Sequence, residues 1–181
     1  QVNLERNIDV LQNTLENTGY FNALVEGDTV VKSRKAKAYY TAHIGERYFI
    51  NEVHFDTIQD VLHKSINEDA GETLLKPNDP FDLAIVKDER IRIDGGLKEK
   101  GFYYFDPNFI KVIVDSTIGN NRVNLYVKVK PETPAISRQQ YAINEIYIFP
   151  GYRLNATASD TSKAGMVFYK DYYVKDRQNL Y

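Results

Sequence analysis

The sequence IDGGLKEKGFY at residues 93–103 decides the fold, because its pattern recurs as LQNTLENTGYF at residues 11–21. The two segments align without gaps, so that Gly101 corresponds to Gly19. In each copy two apolar residues four positions apart lie on one face of a helix. The glycine suits the left-handed position just after a helix, where a Cβ would be strained. The pattern predicts two helices that end alike, each followed by aromatic residues entering an extended segment.

A strand pattern recurs in the same order along the chain. YFINEVHF at residues 48–55 corresponds to YAINEIYI at residues 141–148. Both read Y-x-I-N-E followed by alternating apolar residues, which is typical of a half-buried strand. Two matches in the same order indicate an internal repeat built from modules.

One full unit lies between the two strand copies and is predicted to have the order β-α-α-β-β. A strand at 47–56 precedes a helix at 58–67 with Thr57 as N-cap, and Asp79 and Pro80 then open a second helix at 81–100. Alternating strands near 110–115 and 122–129 follow, joined by a turn at 119–121. The predicted core comprises Ile93, Leu97, Val112, Val114, Val123, Leu125 and Val127. Gly95 and Gly96 indicate either a bent or frayed helix or a close approach to the sheet.

The predicted class is α+β, with one complete and two partial modules in tandem. Residues 1–46 supply only a second helix (4–18) and hairpin strands (21–31 and 35–44), and residues 47–133 form the complete module. Residues 134–181 begin a further module, with a first strand from about residue 138, a polar insertion at 155–165 and an aromatic strand at 166–174. We therefore expect further sequence on both sides.

Composition excludes several classes of function. The net charge of −2 argues against a nucleic-acid partner, which requires an excess of Lys and Arg. The absence of cysteine removes thiol catalysis, disulfides and cysteine zinc sites. The chain contains 14 tyrosines, and because tyrosine favours half-buried sheet faces, the composition indicates strands.

The order of these motifs resembles the POTRA domains of BamA-type outer-membrane assembly proteins. The segment ERIRIDGGLKEKGFYYF at residues 89–105 is most similar to the TamL branch, a lipoprotein relative of TamA. The resemblance implies a periplasmic arm attached to the outer membrane of a Gram-negative bacterium through a barrel outside this sequence. It also implies partners: unfolded outer-membrane proteins, or a periplasmic or inner-membrane protein similar to TamB.

No catalytic, cofactor or metal signature accompanies the repeat, so we expect a protein that is not an enzyme and needs no cofactor. His43, His54 and His63 lack metal-ligand spacing and are interpreted as structural or solvated. Glu52 and Glu145 occupy equivalent outward strand positions in the repeat. Glu89 and Arg90 are interpreted as an ion pair within the module, or as a partner contact. The basic run Lys32, Arg34, Lys35 and Lys37 indicates a solvated turn, or attraction to anionic lipid or an acidic partner.

The predicted binding element is backbone at a sheet edge, where unpaired N–H and C=O groups can accept another chain as an added strand. By resemblance, the exposed edge is the strand after the second helix, residues 109–117. Its candidate residues are Phe109, Lys111, Ile113, Asp115 and Thr117. Three alternatives stay open: an edge protected by its charges, a rigid spacer or oligomerisation arm, and the arm of a two-partner secretion or cell-division protein.

Overall fold

The computed structural model describes residues 3–150 and 162–175, which belong to two compact units, residues 1–140 and 141–181. The helices of the first unit are α1 (Leu4–Asn17), α2 (Val61–Glu68) and α3 (Leu83–Glu99). Its strands are β1 (Leu24–Lys32), β2 (Lys35–His43), β3 (Phe49–Phe55), β4 (Ile110–Asp115) and β5 (Arg122–Val129). The second unit contains β6 (Ile146–Ile148), β7 (Val167–Tyr169) and β8 (Tyr172–Val174). No helix in the described part of the chain is long and apolar enough to cross a membrane.

The central part of the first unit has the order β3-α2-α3-β4-β5, which confirms the predicted α+β class and the β-α-α-β-β unit. Its sheet has the strand order β3-β5-β4. β5 lies in the middle, parallel to β3 and antiparallel to β4. The sheet is therefore mixed, with β3 and β4 at its two edges.

Both helices of this unit begin later than the sequence predicted. α2 begins at Val61 because Asp60, a stronger cap than Thr57, accepts a hydrogen bond from the His63 N–H. α3 begins at Leu83 with Asp82 as N-cap, so the predicted start at residue 81 is wrong. The preceding segment is extended instead, since Ile50 N donates to Asp79 O at 2.9 Å and Phe81 N donates to Tyr48 O at 2.9 Å.

The core lies between α2, α3 and one face of the sheet. Burial of Ile93, Leu97, Val123, Leu125 and Val127 is confirmed, each with at most 4% of its surface exposed. Val112 is only half-buried and Val114 is 36% exposed, so the prediction for Val114 is wrong. Both lie on an edge strand, which has a neighbouring strand on one side only. The core also contains Phe102 and Phe105, from the aromatic segment that follows α3.

The two glycines of the repeat end their helices in the same way. Gly101 and Gly19 have φ angles of +93° and +92°, as predicted for the position after a helix. Phe102 N donates to Leu97 O, and Tyr20 N donates to Leu15 O, both at 2.9 Å. With the 3.0 Å bonds from each glycine N–H to the carbonyl three residues back, these contacts form a Schellman motif in each copy.

The Gly95–Gly96 pair does not break α3, which runs unbroken to Glu99. A Cβ on Gly96 would lie 3.1 Å from Asp69 Oδ2, whereas a Cβ on Gly95 would meet open space. The Asp69 carboxylate is also held by Lys100 Nζ at 2.8 Å. The close approach is therefore to the segment after α2, and the prediction of an approach to the sheet is wrong.

The N-terminal helix and hairpin join the central unit at the start of β3. Tyr48 N donates to Gly19 O at 2.8 Å, and Arg47 Nε donates to Thr18 O at 2.7 Å. The Phe21 ring lies 5.0 Å from the rings of both Tyr48 and Phe81. A Cβ on Gly19 would lie 2.9 Å from Phe81 O, so only glycine fits this junction without movement.

The second unit forms a sheet of order β6-β8-β7, in which β8 is parallel to β6 and antiparallel to β7. The single aromatic strand predicted at 166–174 is wrong, because Lys170 and Asp171 adopt positive φ and turn it into the β7–β8 hairpin. The first strand is limited to Ile146–Ile148, and Arg138 lies in a 3-10 turn. Most of the predicted polar insertion, residues 155–161, lies outside the described residues.

Candidate protein-binding edge

The outer edge of β4 has no neighbouring strand in the described chain. At the opposite edge of the sheet, the start of β3 is covered, because Asn78 N donates to Ile50 O at 2.8 Å and Phe49 pairs with Pro80. The whole of β4 is therefore the longer open edge of the central sheet.

The register of β4 determines which backbone groups point outward. Lys130 N donates to Phe109 O at 2.8 Å, so these two residues occupy a hydrogen-bonded position of the ladder, although Phe109 N itself donates to Asp106 O. Such pairs alternate along an antiparallel ladder. The regular register therefore directs the N–H and C=O groups of Lys111, Ile113 and Asp115 toward β5. The N–H and C=O groups of Val112 and Val114 and the C=O of Ile110 point away from β5, into the open edge. The Ile110 N–H donates to Pro107 O at the end of the 3-10 turn and is not free.

This geometry corrects the predicted site in two ways. The Ile113 N–H bonds inside the sheet and is not free for an added chain. The strand is also shorter than residues 109–117, because Phe109 ends a 3-10 turn and packs on Phe105 at a ring distance of 5.7 Å. Thr117 lies beyond the strand, where its N–H and hydroxyl donate to Asp115 Oδ1 at 2.9 and 2.7 Å.

The side chains of Lys111, Ile113 and Asp115 lie on the face of the sheet opposite the core, which we call the open face. Ile113 is 43% exposed and pairs across the ladder with Tyr126, which in turn pairs with His54. The His54 and Tyr126 rings stack at 5.0 Å. We call this row, His54–Tyr126–Ile113, the central row of the open face.

A charged row lies on each side of the central row. On one side Asp115 pairs with Asn124, and Asn124 pairs with Glu52. Hydrogen bonds from the Thr117 side chain and N–H lower the pKa of Asp115 and favour its ionised form. On the other side Lys111 lies directly opposite Lys128, whose Nζ is 3.4 Å from Asp56 Oδ1. The open face is therefore acidic at the Asp115 end of β4 and basic at the Lys111 end.

Residues of α3 fix the turn that precedes β4. Arg90 Nε donates to Pro107 O at 2.9 Å, and its guanidinium also donates to Asn108 Oδ1 at 3.0 Å. The predicted Glu89–Arg90 ion pair is wrong, because side chains one residue apart on a helix point in different directions. The partner of Glu89 is Arg92, which lies one turn further along.

Glu89 is a fully buried carboxylate at the centre of a small network. Arg92 donates to its two oxygens at 2.9 and 2.8 Å, and Leu74 N donates to Oε2 at 2.8 Å. The hydrogen bond to Glu89 raises the pKa of Arg92. The network holds the loop after α2 against α3, and we interpret it as structural.

The other predicted positions do not converge on a reactive site. His43 and His54 are each near a glutamate, at 3.9 Å from Glu26 and 3.1 Å from Glu52, whereas His63 is buried against Asp60 at 2.7 Å. Glu145 precedes β6 and is not on a strand, unlike Glu52. The described ranges contain no group of three His, Cys, Asp or Glu residues that could hold a metal ion.

The basic run lies at the β1–β2 turn, where Lys32, Arg34, Lys35 and Lys37 are all exposed. Together with Val30 and Tyr39, they line an open cleft at the tip of the hairpin. The arrangement is compatible with both a solvated turn and an anionic partner.

Sequence reasoning missed the outward groups of Val112 and Val114 and the stacked His54–Tyr126 pair. Alternation in the sequence gives the side-chain faces of a strand. It does not give the register with β5, which decides the direction of each N–H.

Comparisons with solved structures found POTRA domains of BamA. The chain is similar to BamA POTRA3-5 from Haemophilus influenzae, with 16% identity and a TM-score of 0.48, over 84% of this chain and 56% of that one. It is also similar to BamA from Haemophilus ducreyi lacking POTRA domains 1-3, with 13% identity and a TM-score of 0.46, over 72% of this chain and 24% of that one. The chain thus spans only part of the length of either protein. No family model and no curated protein matches the sequence.

Proposed function

We propose that this chain is part of a periplasmic POTRA-type arm of an outer-membrane assembly or translocation factor, and that it binds extended segments of other chains as an added strand at β4. The observation that carries the proposal is the open edge of β4, where the backbone groups of Val112 and Val114 and the C=O of Ile110 point away from β5. Backbone pairing at such an edge gives affinity that is largely independent of side chains. That property suits a carrier of many unfolded outer-membrane proteins.

The sequence motifs support the location and the partners proposed here. The repeated helix end and the Y-x-I-N-E strands resemble those of POTRA arms, which precede an outer-membrane barrel in Gram-negative bacteria. Clients would be unfolded outer-membrane proteins, and a fixed partner would be a periplasmic or inner-membrane protein similar to TamB. The chain would act by binding and not by catalysis.

A proline at position 114 tests the edge directly. Val114→Pro removes an outward N–H, so the β4–β5 ladder keeps its bonds and the variant should remain folded. Val114→Ala, the matched control, loses similar packing but keeps the N–H. We expect photoreactive groups at positions 111 and 115 to crosslink to unfolded outer-membrane chains in the periplasm. Crosslinks should persist in Val114→Ala and disappear in Val114→Pro.

A rigid spacer is the second candidate, and the junction at Gly19 favours it. The contacts of Gly19, Tyr48 and Phe81 fix the N-terminal helix against the central sheet without needing a client. Crosslinks from positions 111 and 115 to constant neighbouring subunits alone would support the spacer and contradict strand addition.

A further inference from the structure

We propose that the strand taken up at β4 runs antiparallel to β4 and carries a basic residue, an apolar residue two positions later and an acidic residue two positions after that. This inference rests on the proposed function and assigns the chemistry of the segment bound. The three residues would lie opposite Asp115, Ile113 and Lys111.

The geometry of an added strand brings these side chains together. Because Val112 and Val114 direct their N–H and C=O groups outward, the added chain forms its hydrogen-bonded pairs with them, and the outward C=O of Ile110 can accept one further bond. Lys111, Ile113 and Asp115 then occupy the non-hydrogen-bonded positions, where cross-strand side chains lie closest. Their partners on the added strand continue the three rows of the open face.

The basic row lacks a counter-charge at its outer end. Lys111 lies opposite Lys128, and like charges at such a position repel. Lys128 has Asp56 as a partner at 3.4 Å, whereas no ion pair joins Lys111 to a carboxylate in the described ranges. An acidic side chain on the added strand would supply the missing charge.

The acidic row lacks a positive charge at its outer end. Asp115 is kept ionised by its two hydrogen bonds from Thr117 and lies in the same row as Glu52. No cation of the described chain forms an ion pair with Asp115. A lysine or arginine opposite Asp115 would balance this end of the edge.

Between its basic and acidic residues, the added strand is expected to carry apolar residues. Ile113 is 43% exposed beside the stacked Tyr126 and His54 rings, so an aromatic or branched residue opposite it would extend the central row. On the other face of the sheet, the residues opposite Val112 and Val114 would meet half-exposed valines. The preferred segment is therefore of the type Lys-Val-Tyr-Val-Glu. Antiparallel pairing, which is the more stable per residue, sets this order of charges.

Binding of three fluorescent peptides to the complete chain tests the proposal. They contain Lys-Val-Tyr-Val-Glu, the reversed Glu-Val-Tyr-Val-Lys, and the uncharged Ser-Val-Tyr-Val-Ser, each between Gly-Ser flanks. At low salt we expect the first peptide to bind about 3- to 30-fold more tightly than the reversed one, with the uncharged peptide between them. The difference should shrink in 0.5 M NaCl, a concentration chosen to screen exposed charges, with a Debye length of about 4 Å.

Two variants locate the effect. Lys111→Glu should weaken binding of the first peptide and strengthen binding of a Lys-Val-Tyr-Val-Lys peptide. Asp115→Asn, in which the side-chain oxygen can still accept hydrogen bonds from Thr117, should remove the preference for lysine at the first position of the peptide. If the three peptides bind equally and Val114→Pro abolishes all binding, strand addition stands and the charge pattern is overturned. Tighter binding of the reversed peptide also overturns it, and no binding of any peptide at millimolar concentration overturns the proposed function as well.

Discussion

Replacing Glu89 with glutamine should destabilise the central unit strongly. The carboxylate is fully buried and accepts three hydrogen bonds, two of them from Arg92 and one from Leu74 N. Glutamine keeps one acceptor oxygen but places an NH₂ group beside donors that it cannot satisfy. It also leaves Arg92, whose side chain is only 18% exposed, without its counter-charge.

The expected loss in the free energy of unfolding is about 3–5 kcal/mol, the usual cost of removing one partner of a buried ion pair. For a chain of this size that corresponds to a fall in melting temperature of about 6–20 °C, at about 2–4 °C per kcal/mol. Urea unfolding followed by circular dichroism measures the free energy. Arg90→Gln is the matched control, because it breaks more exposed bonds to Pro107 and Asn108 and should cost about 1–2 kcal/mol.

A loss below about 0.5 kcal/mol for Glu89→Gln, comparable with neutral surface substitutions, would refute the buried network. A larger loss in the free energy of unfolding for Arg90→Gln than for Glu89→Gln would mean that Arg90, and not the Glu89–Arg92 pair, makes the main stabilising contacts of α3. Equal losses for Glu89→Gln and Arg92→Gln, with little further loss in the double variant, would show that the two residues act as one unit.

Three further substitutions test the core, the repeat and the edge. Leu97→Ala should cost about 2–5 kcal/mol in urea unfolding because the side chain is fully buried, and a loss below about 0.5 kcal/mol would place Leu97 outside the core. Gly19→Ala should destabilise by at least about 1 kcal/mol through its positive φ, with an added clash at Phe81 O; an unchanged midpoint would contradict the junction. Lys111→Glu should leave stability unchanged or raise it by up to about 1 kcal/mol, since it removes repulsion with Lys128, and a clear loss would mean that Lys111 has a stabilising partner.

The N-cap of α2 makes a pH-dependent contribution to stability. Burial raises the pKa of Asp60, but hydrogen bonds from the N–H and ring of His63 outweigh it, so that the pKa is lowered overall. Ionised Asp60 therefore stabilises the fold above the pKa of the unfolded chain, and this contribution is lost as the pH falls below about 4. Asp60→Asn should flatten that part of the stability profile in acid titrations. An unaltered acid limb in the variant would contradict the role of the carboxylate.

The repeated features of the sequence predicted the fold well, because they depend on interactions between residues close together in the chain. A glycine in the left-handed position and an apolar pair on one helix face are set by the chain near them, and both glycines have the predicted geometry. The predicted start of α2 was wrong because Asp60 is the N-cap in place of Thr57, and that of α3 was wrong because tertiary pairing prevailed. Pro80 and Phe81 follow a plausible cap signal at Asp79, yet this segment pairs with the start of β3 and stays extended.

The candidate site was only partly predictable for a related reason. The strand itself and its position after α3 followed from the motif order. The direction of the Ile113 N–H depends on the pairing of Lys130 with Phe109, which no local pattern encodes. The exposure of Val114 likewise depends on the strand order, since the core-facing residues of β5, which lies at the centre of the sheet, are all buried.

The parallel pairing of β3 with β5 has a mechanical consequence. The chain enters the central sheet at Phe49 and leaves it at Val129, at opposite ends of two neighbouring strands that run in the same direction. A pull on the two flanking segments would slide β3 along β5, so that the hydrogen bonds between them share the force and must fail together. A hairpin pulled at its two ends would instead open one bond at a time. The parallel pairing therefore makes the module resistant to tension applied along the chain.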